Sequence, residues 1–379
     1  MAKFTKFTLF QDFDGTTFEE EAPLTSKVDV EELRTELGIP KYVDLSYFPL
    51  ERAVVTIWAS LNAQKLHELF SDVVSARIYK APISSILFGG AAIKFHCPST
   101  NDRSNPLHRD IKDVDFIVPM KQGAAFYKLL LILKDIAGTR YLHFKTYQDR
   151  RFNAMRKGRM YRAHTIRGFE KGSEPMVSVM DIFCDEINLR HNVKIVEEFK
   201  RPEESLHTIG LENMILSKCQ FVFDLPVTAL DELKKAEQDF RVLSSYKHYD
   251  PRKIIVGMEE KDMRDVCAIL LDHDIGNGPD EICVSKIVKV LKKDKKFALT
   301  CSLNLQNIIE RGDFLGKLGL TRSQISRVID RVNSLLKAIP RVDKKWDKPW
   351  WNIDVETPKI FNPSQLSLQM KALPLHKHL

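Results

Sequence analysis

Ile86-Leu-Phe-Gly89-Gly90-Ala-Ala, Asp113-Val-Asp115-Phe-Ile-Val and Val177-Ser-Val-Met-Asp181-Ile-Phe are the stretches whose reading decides the fold. The first is a short apolar strand running into a Gly-Gly turn. The second is a strand with two carboxylates two residues apart, and the third is a strand carrying one more. Strand side chains alternate between faces, so Asp113 and Asp115 point one way while Val114, Phe116 and Val118 point into a core. Two carboxylates side by side on a half-buried strand repel each other. They are tolerated where water screens them, basic residues pair them, or a divalent cation fills the gap. Oxygen-only ligands suit magnesium or manganese. With Asp181 added, the carboxylates suffice to hold two metal ions roughly 3.5–4 Å apart for phosphoryl or nucleotidyl transfer. Gly89 and Gly90 let the backbone turn and approach a ligand closely. A helix following from Ala91 would aim its first N–H groups at an incoming phosphate.

Phe88-Gly89-Gly90-Ala91, then Arg109-Asp-Ile-Lys112-Asp113-Val-Asp115-Phe, then Val179-Met-Asp181-Ile resembles the DNA polymerase β-like nucleotidyltransferase superfamily. Within it, the chain is most similar to the AbiEii/AbiGii toxin-like branch, where an Arg-x-x-Lys/Arg-Asp-x-Asp-Phe run follows the Gly-Gly turn and a helix with an inward lysine comes later. The resemblance covers roughly residues 80–275, and it departs from the compact members in the longer gap between Gly90 and Asp113, where Cys97-Pro-Ser-Thr-Asn-Asp-Arg-Ser-Asn-Pro reads as a surface loop. It implies an α+β fold: a small mixed β-sheet nucleotidyltransferase core flanked by helices, with a C-terminal helical domain. It also implies magnesium or manganese on Asp113, Asp115 and Asp181, and nucleotide contacts from Gly89, Gly90, Arg109, Lys112 and Lys218.

The bulk properties set bounds. A chain of 379 residues is long enough for two domains or more. Hydrophobic residues at 44% and charged residues at 29% describe an ordinary globular protein rather than a disordered one. No apolar run approaches the length of a membrane span, and the first ten residues lack the core of a secretory signal. Six scattered cysteines without a C-x-x-C pair read as reduced, buried small hydrophobes of a cytoplasmic protein. The net charge of +7 is compatible with an anionic partner without requiring one.

Along the chain, residues 1–80 read as a mainly helical lead-in, with one short helix stopped by Gly38 and Pro40 and a second carrying Val54, Ile57, Trp58, Leu61, Leu66 and Leu69 at helical spacing. Residues 81–205 form the catalytic core, 206–340 a helical domain, and 341–379 an extended tail anchored by its tryptophans. Between the second and third key strands the chain turns basic. Lys145, Arg150, Arg151, Arg156, Lys157, Arg159, Arg162, Arg167 and Lys171 are interleaved with Tyr147, Phe152, Tyr161 and Phe169. That mixture suits a polynucleotide with stacked bases, or is a solvated hairpin pairing with the acidic site. Asp181 shares its strand face with Val177, Val179 and Phe183, and a lone charge there needs a partner: a metal, or a salt bridge to Arg109 or Lys112. Lys218 shares an apolar helical stripe with Leu211, Met214, Ile215 and Phe221/Val222; nucleotide phosphates would satisfy it, or it snorkels to solvent. Residues 228–245 read as another helix. Lys261-Asp262-Met-Arg264-Asp265 is read as structural, and Thr321 and Ser323 are expected to cap a last helix over 321–338.

These residues predict an NTP-dependent enzyme that moves a nucleoside monophosphate to a hydroxyl acceptor and releases pyrophosphate. Asp181 would complete the second metal site and draw the acceptor's proton. RNA, through residues 145–171, or a protein is the favoured acceptor. The toxin-like resemblance implies a role as the toxin of a toxin–antitoxin or phage-defence pair, with an antitoxin protein as partner. The alternatives are a small-molecule nucleotidyltransferase of the antibiotic-modifying type, and a nucleotide- or RNA-binding relative without catalysis. No Walker loop, Ser/His/Asp triad or His/Cys metal motif is present.

Overall fold

Strand β3 (Ile86–Phe88) is only three residues long and wholly buried, so it needs a partner along each edge. It finds one in β4 (Val114–Val118), antiparallel, with Ile86 opposite Ile117 and Phe88 opposite Asp115. On its other edge the Leu87 N–H donates to the His207 carbonyl and the Ile209 N–H to the Leu87 carbonyl, at 2.8 and 2.9 Å. The computed structural model describes residues 4–11, 17–23, 30–63, 82–111, 113–132, 144–167, 176–195, 197–200, 206–226, 241–243, 252–342 and 350–352.

Among these residues the chain is α+β, as expected. Its main sheet has five strands in the order β3-β4-β7-β6-β5, with β5 at Phe144–Gln148, β6 at Met160–Arg167 and β7 at Met176–Cys184. Strand β4 runs parallel to β7 and the other pairings are antiparallel, so the sheet is mixed. Val114, Phe116 and Val118 are buried as the alternation requires. A helix over Met120–Ile132 packs on β4, β6 and β7, and the Phe116 and Phe126 rings meet at 5.3 Å. Its Gly123 is needed because a β-carbon there would lie 2.7 Å from Cys184 Sγ. The helices over Phe48–Leu61 and Gly89–His96 also pack on β3 and β4.

The chain divides into two compact units. The first comprises residues 1–101, 110–186 and 194–209; the second comprises 102–109, 187–193 and 210–379. The described part of residues 1–80 therefore belongs to the unit that contains the main sheet. It is also less helical than expected, because it opens with an antiparallel hairpin, β1 (Phe4–Gln11) and β2 (Thr17–Pro23). The alternating aromatic and β-branched residues of Phe4-Thr-Lys-Phe-Thr-Leu-Phe fit a strand better than a helix. Val54 and Ile57 are buried, while Leu66 and Leu69 lie outside the described residues.

The inserted loop is a surface excursion only in part: Asp102, Arg103 and Ser104 are exposed, as expected, but its start is not. Cys97 and Thr100 are buried beside the helix that ends at His96. Residues 102–109 belong to the second unit, where Leu107 is buried and the Pro106 carbonyl accepts from Arg264. In the same unit Arg241–Leu243, the described part of the helix expected over 228–245, is a strand, in a small antiparallel sheet with Arg252–Val256 and Val222–Pro226. Residues 227–240 are outside the described residues. The helix containing Lys218 stops there (Leu211–Lys218), so Val222 begins a strand instead of extending the stripe. The later helices, including Val284–Lys293, Lys295–Glu310 and Arg322–Ala338, form where periodicity places them. Thr321 closes a capping box with Gln324. All six cysteines are buried free thiols.

Trp350 and Trp351 are buried within the second unit, their rings 4.8 Å apart edge to face. Trp350 Nε1 donates to Thr300 Oγ1 at 2.9 Å, a hydroxyl that also meets His191 Nε2 at 2.8 Å. Burial, with Arg190 and Lys296 nearby, lowers the His191 imidazole to about 3, so the ring stays neutral where it stacks on Phe297. Trp350→Ala is expected to cost about 3–5 kcal/mol of stability by cavity formation. Urea unfolding checks this, and a loss below about 1 kcal/mol would show that the tryptophan is not an anchor.

Candidate active site

A single row of backbone register crosses the main sheet. Phe88 of β3 lies opposite Asp115 of β4, Asp115 opposite Asp181 of β7, and Asp181 opposite Arg162 of β6. In-register neighbours on adjacent strands share a face, and neighbouring strands are about 4.8 Å apart. The two carboxylates and the guanidinium are thus lateral neighbours on one side of the sheet. The Phe88 and Phe183 rings meet at 5.1 Å, as expected for that same side. The helix over Met120–Ile132 covers the opposite side, where Tyr127 stacks on Tyr161 at 5.2 Å.

The Gly-Gly turn joins this row through Asp115. Gly89 adopts φ +71°, and a β-carbon on it would stand 2.5 Å from Asp115 Oδ2. Only glycine meets both demands, conformation and proximity. The helix Gly89–His96 begins here, with Phe88 extended ahead of it. Asp115, the second residue of β4, and Asp113, just ahead of the strand, are both half-buried. Lys112 lies outside the described residues.

Asp181 has the ionic partner its apolar strand calls for, and that partner is Arg162. Arg162 Nε donates to Asp181 Oδ1 at 2.7 Å and Nη2 to Oδ2 at 2.9 Å, with both side chains largely buried. Of the cations expected beside it, Arg109 is bound to Asp265 instead and Lys112 lies outside the described residues; Arg162 comes from the basic hairpin, whose pairing with the acidic site is the expected alternative to nucleic-acid contact. This hairpin is more than two strands, because a helix over Arg150–Arg156 is set into it, capped by Asp149 accepting from the Phe152 N–H at 3.0 Å. From that helix Phe152 places its ring 4.0 Å from the Arg162 guanidinium carbon. Asn153 Oδ1 accepts from the Arg162 N–H at 2.6 Å, and its Nδ2 donates to Tyr127 Oη at 3.0 Å. Two of the aromatics interleaved with the basic residues, Phe152 and Tyr161, are therefore engaged within the protein. Phe169 and Lys171 lie outside the described residues.

Arg109 and Lys218 meet in the second unit. Arg109 binds Asp265 through Nε and Nη2 at 2.8 and 2.5 Å, and Lys218 Nζ lies 2.7 Å from Asp262 Oδ1 and 2.9 Å from Asp265 Oδ2. The inward lysine is thus satisfied by two carboxylates of the Lys-Asp-x-x-Asp run, which has the structural role expected of it. Burial pushes the Asp265 carboxyl up, but Arg109 and Lys218 outweigh it and hold it at about 2, below the ordinary 3.8. Burial pushes the Lys218 ammonium down, yet Asp262 and Asp265 raise it above the usual lysine range.

The three-carboxylate, two-metal arrangement does not fit these residues as they stand. Among the described residues no three Asp, Glu, His or Cys side chains are grouped to hold a metal ion, and each Asp181 oxygen already accepts from Arg162. The other carboxylate of the row is Asp115, with Asp113 two residues before it. The sequence names Arg162 only as one of the basic run, and the antiparallel pairing of β6 with β7 is what sets it opposite Asp181.

No protein-family model, curated protein or solved structure matches this chain.

Two outcomes follow. Gly89→Ala, with left-handed strain plus a clash onto Asp115, is expected to cost about 1–3 kcal/mol or more; denaturant unfolding checks it, and a neutral effect would deny the close approach. Asp265 has a depressed folded-state value, so its contribution is present above pH 3.8 and is lost as pH falls toward 2. Asp265→Asn is expected to cost about 3–5 kcal/mol near neutrality and to flatten the stability profile in that acid window. Urea midpoints measured against pH test it, and an unchanged profile in the variant would contradict the assignment.

Proposed function

We propose that this chain is a nucleotidyltransferase that moves a nucleoside monophosphate from an NTP to a hydroxyl acceptor, releasing pyrophosphate. The observation that carries this reading is the juxtaposition of the Gly89 turn with the Asp115 carboxylate, in register with Asp181. A phosphate-accepting helix start and an oxygen donor for a cation thereby meet at one strand end. Gly89 and Gly90 bring backbone N–H groups close to the triphosphate. Asp113 and Asp115 are the residues that would hold magnesium or manganese, and such a cation supplies charge neutralisation at the phosphoryl oxygens. The sheet presents these groups from buried, hydrogen-bonded strands, so their positions are set before substrate arrives.

Asp181 does not draw the acceptor's proton in this reading, because both its oxygens are engaged by Arg162. Arg109 and Lys218, committed to Asp262 and Asp265, are assigned to the stability of the second unit. An RNA end or a protein hydroxyl is the acceptor class we favour, and the AbiEii/AbiGii-like resemblance supports a role as the toxin of a toxin–antitoxin pair. A second reading has one specific observation in its favour. A binding relative without turnover is expected to have lost a working carboxylate, and Asp181 is present but occupied by Arg162. Among the described residues no helix is long and apolar enough to cross a membrane.

Incubation with each α-³²P-labelled NTP, magnesium and total RNA separates the two. Transfer of label to RNA or to protein, reduced about a hundredfold or more in Asp113→Ala/Asp115→Ala, is the expected result. Nucleotide binding without label transfer on any acceptor would favour the binding relative, and label equal in both proteins would overturn the assignment.

A further inference from the structure

The chain's excess positive charge is concentrated in one short segment of the second unit. Lys286, Lys289, Lys292, Lys293, Lys295 and Lys296 lie within residues 284–296, opposed there only by Asp294, so this segment carries +5 of the chain's net +7. All six lysines are exposed. Lys286 lies 3.4 Å from Glu212, and among the described residues the other five have no ion pair. Asp294 is committed elsewhere. It joins the helices Val284–Lys293 and Lys295–Glu310, and its Oδ1 accepts from the Phe297 N–H at 2.9 Å. Spacing at i, i+3 and i+7 puts Lys286, Lys289 and Lys293 on one helical stripe, with Lys292 beside it. Ile287 and Leu291 are buried on the other side, where the helix packs on Leu211–Lys218, Lys295–Glu310 and Arg322–Ala338.

Local stability does not account for this arrangement. Like charges three or four residues apart repel on a helix. Lys292 and Lys293 suit the C-terminal end of theirs, but Lys295 and Lys296 occupy the first turn of the next, where the helix dipole disfavours cations. An anionic partner relieves both costs, and its kind follows from what else the surface carries. Protein interfaces are built on aromatic, methionine and arginine side chains and are depleted in lysine. The exposed large hydrophobics among the described residues are Tyr42 and Met120, neither of them in this segment. For the same reason nothing here stacks on the bases of a single strand, and the apolar face that would enter a bilayer is already packed on the core. The phosphates of a duplex remain. The stripe from Lys286 to Lys293 spans about 10 Å, and over that length a duplex presents about six negative charges. We propose that this lysine face of the second unit binds double-stranded nucleic acid through its phosphates, without reading its sequence. The proposal stands independently of the nucleotidyltransferase reading.

The test is fluorescence anisotropy of the full chain with short labelled duplexes of random sequence, DNA and RNA in separate arms, titrated from about 50 to 200 mM salt. Log affinity is expected to fall against log salt with a slope of about −4 to −5, as for about five phosphate contacts. Lys289→Gln/Lys292→Gln/Lys293→Gln is expected to weaken binding about tenfold or more and to flatten the slope by about 3; Lys295→Gln/Lys296→Gln is expected to flatten it by about 2. These side chains are exposed, so the urea midpoint is expected to stay at the wild-type value in both variants. Tighter binding in either arm supports the proposal and names the nucleic acid. Affinity unchanged in both variants would place the contact on another surface and overturn it, as would the absence of binding to either duplex at the lowest salt. Binding to phosphatidylserine vesicles but to neither duplex would overturn it in favour of a membrane surface.

Discussion

A carboxylate on an apolar strand face is the constraint from which the site is built. Asp181 is buried on the face of its strand that also carries the buried Phe183, and an uncompensated charge there would cost several kcal/mol. Arg162 resolves this from the next strand, in perfect register and through two parallel hydrogen bonds. Much of the local structure serves that contact. The helix over Arg150–Arg156 interrupts the basic hairpin and supplies Phe152 beneath the guanidinium and Asn153 against its backbone. The identity of the partner matters for chemistry as well as for stability. An Asp181 bound by arginine contributes shape and a balanced charge, whereas an Asp181 facing a cation would contribute coordination.

The second unit meets the same problem in the same way. Lys218 lies inward on a helix and is satisfied by Asp262 and Asp265, the latter shared with Arg109. The segment 102–109 is thereby tied to the helix Glu260–Asp272 by Arg109 and also by Arg264, which donates to the Pro106 carbonyl. Both units thus use buried, hydrogen-bonded ion pairs where a purely apolar core would have been simpler to stabilise. Such pairs discriminate strongly between correct and incorrect partners even where their net stabilisation is small.

Much of this was legible in the sequence, and the gaps have identifiable causes. Strands β3, β4 and β7 follow from alternation and from their apolar flanks, and the Thr321 cap follows from Gln324 three residues on. The Lys-Asp-x-x-Asp run could be read as structural because its spacing puts both carboxylates on one helix face. Lys218 was harder: periodicity shows that it points inward, but not which anion it meets, because Asp262 and Asp265 are more than forty residues away in sequence. The partner of Asp181 is legible only in part for a related reason: the sequence offers the basic hairpin as pairing with the acidic site, but which of its cations meets Asp181 is set by strand register, which places Arg162 opposite it. The hairpin over residues 4–23 and the strand at Arg241–Leu243 show the other limit: short segments with mixed patterns take their conformation from the partner they pair with.

The central claim is that Arg162 and Asp181 form one fixed, interdependent unit, and a double-mutant cycle tests it most directly. Unfolding free energies of wild type, Arg162→Ala, Asp181→Ala and the double variant, measured in urea at neutral pH, give the coupling between the two side chains. The account predicts a coupling of about 2 kcal/mol or more, with the double variant less destabilised than the sum of the single ones. Additivity within about 0.5 kcal/mol would mean that the two residues do not depend on each other, and the pair would not be the constraint that shapes this site.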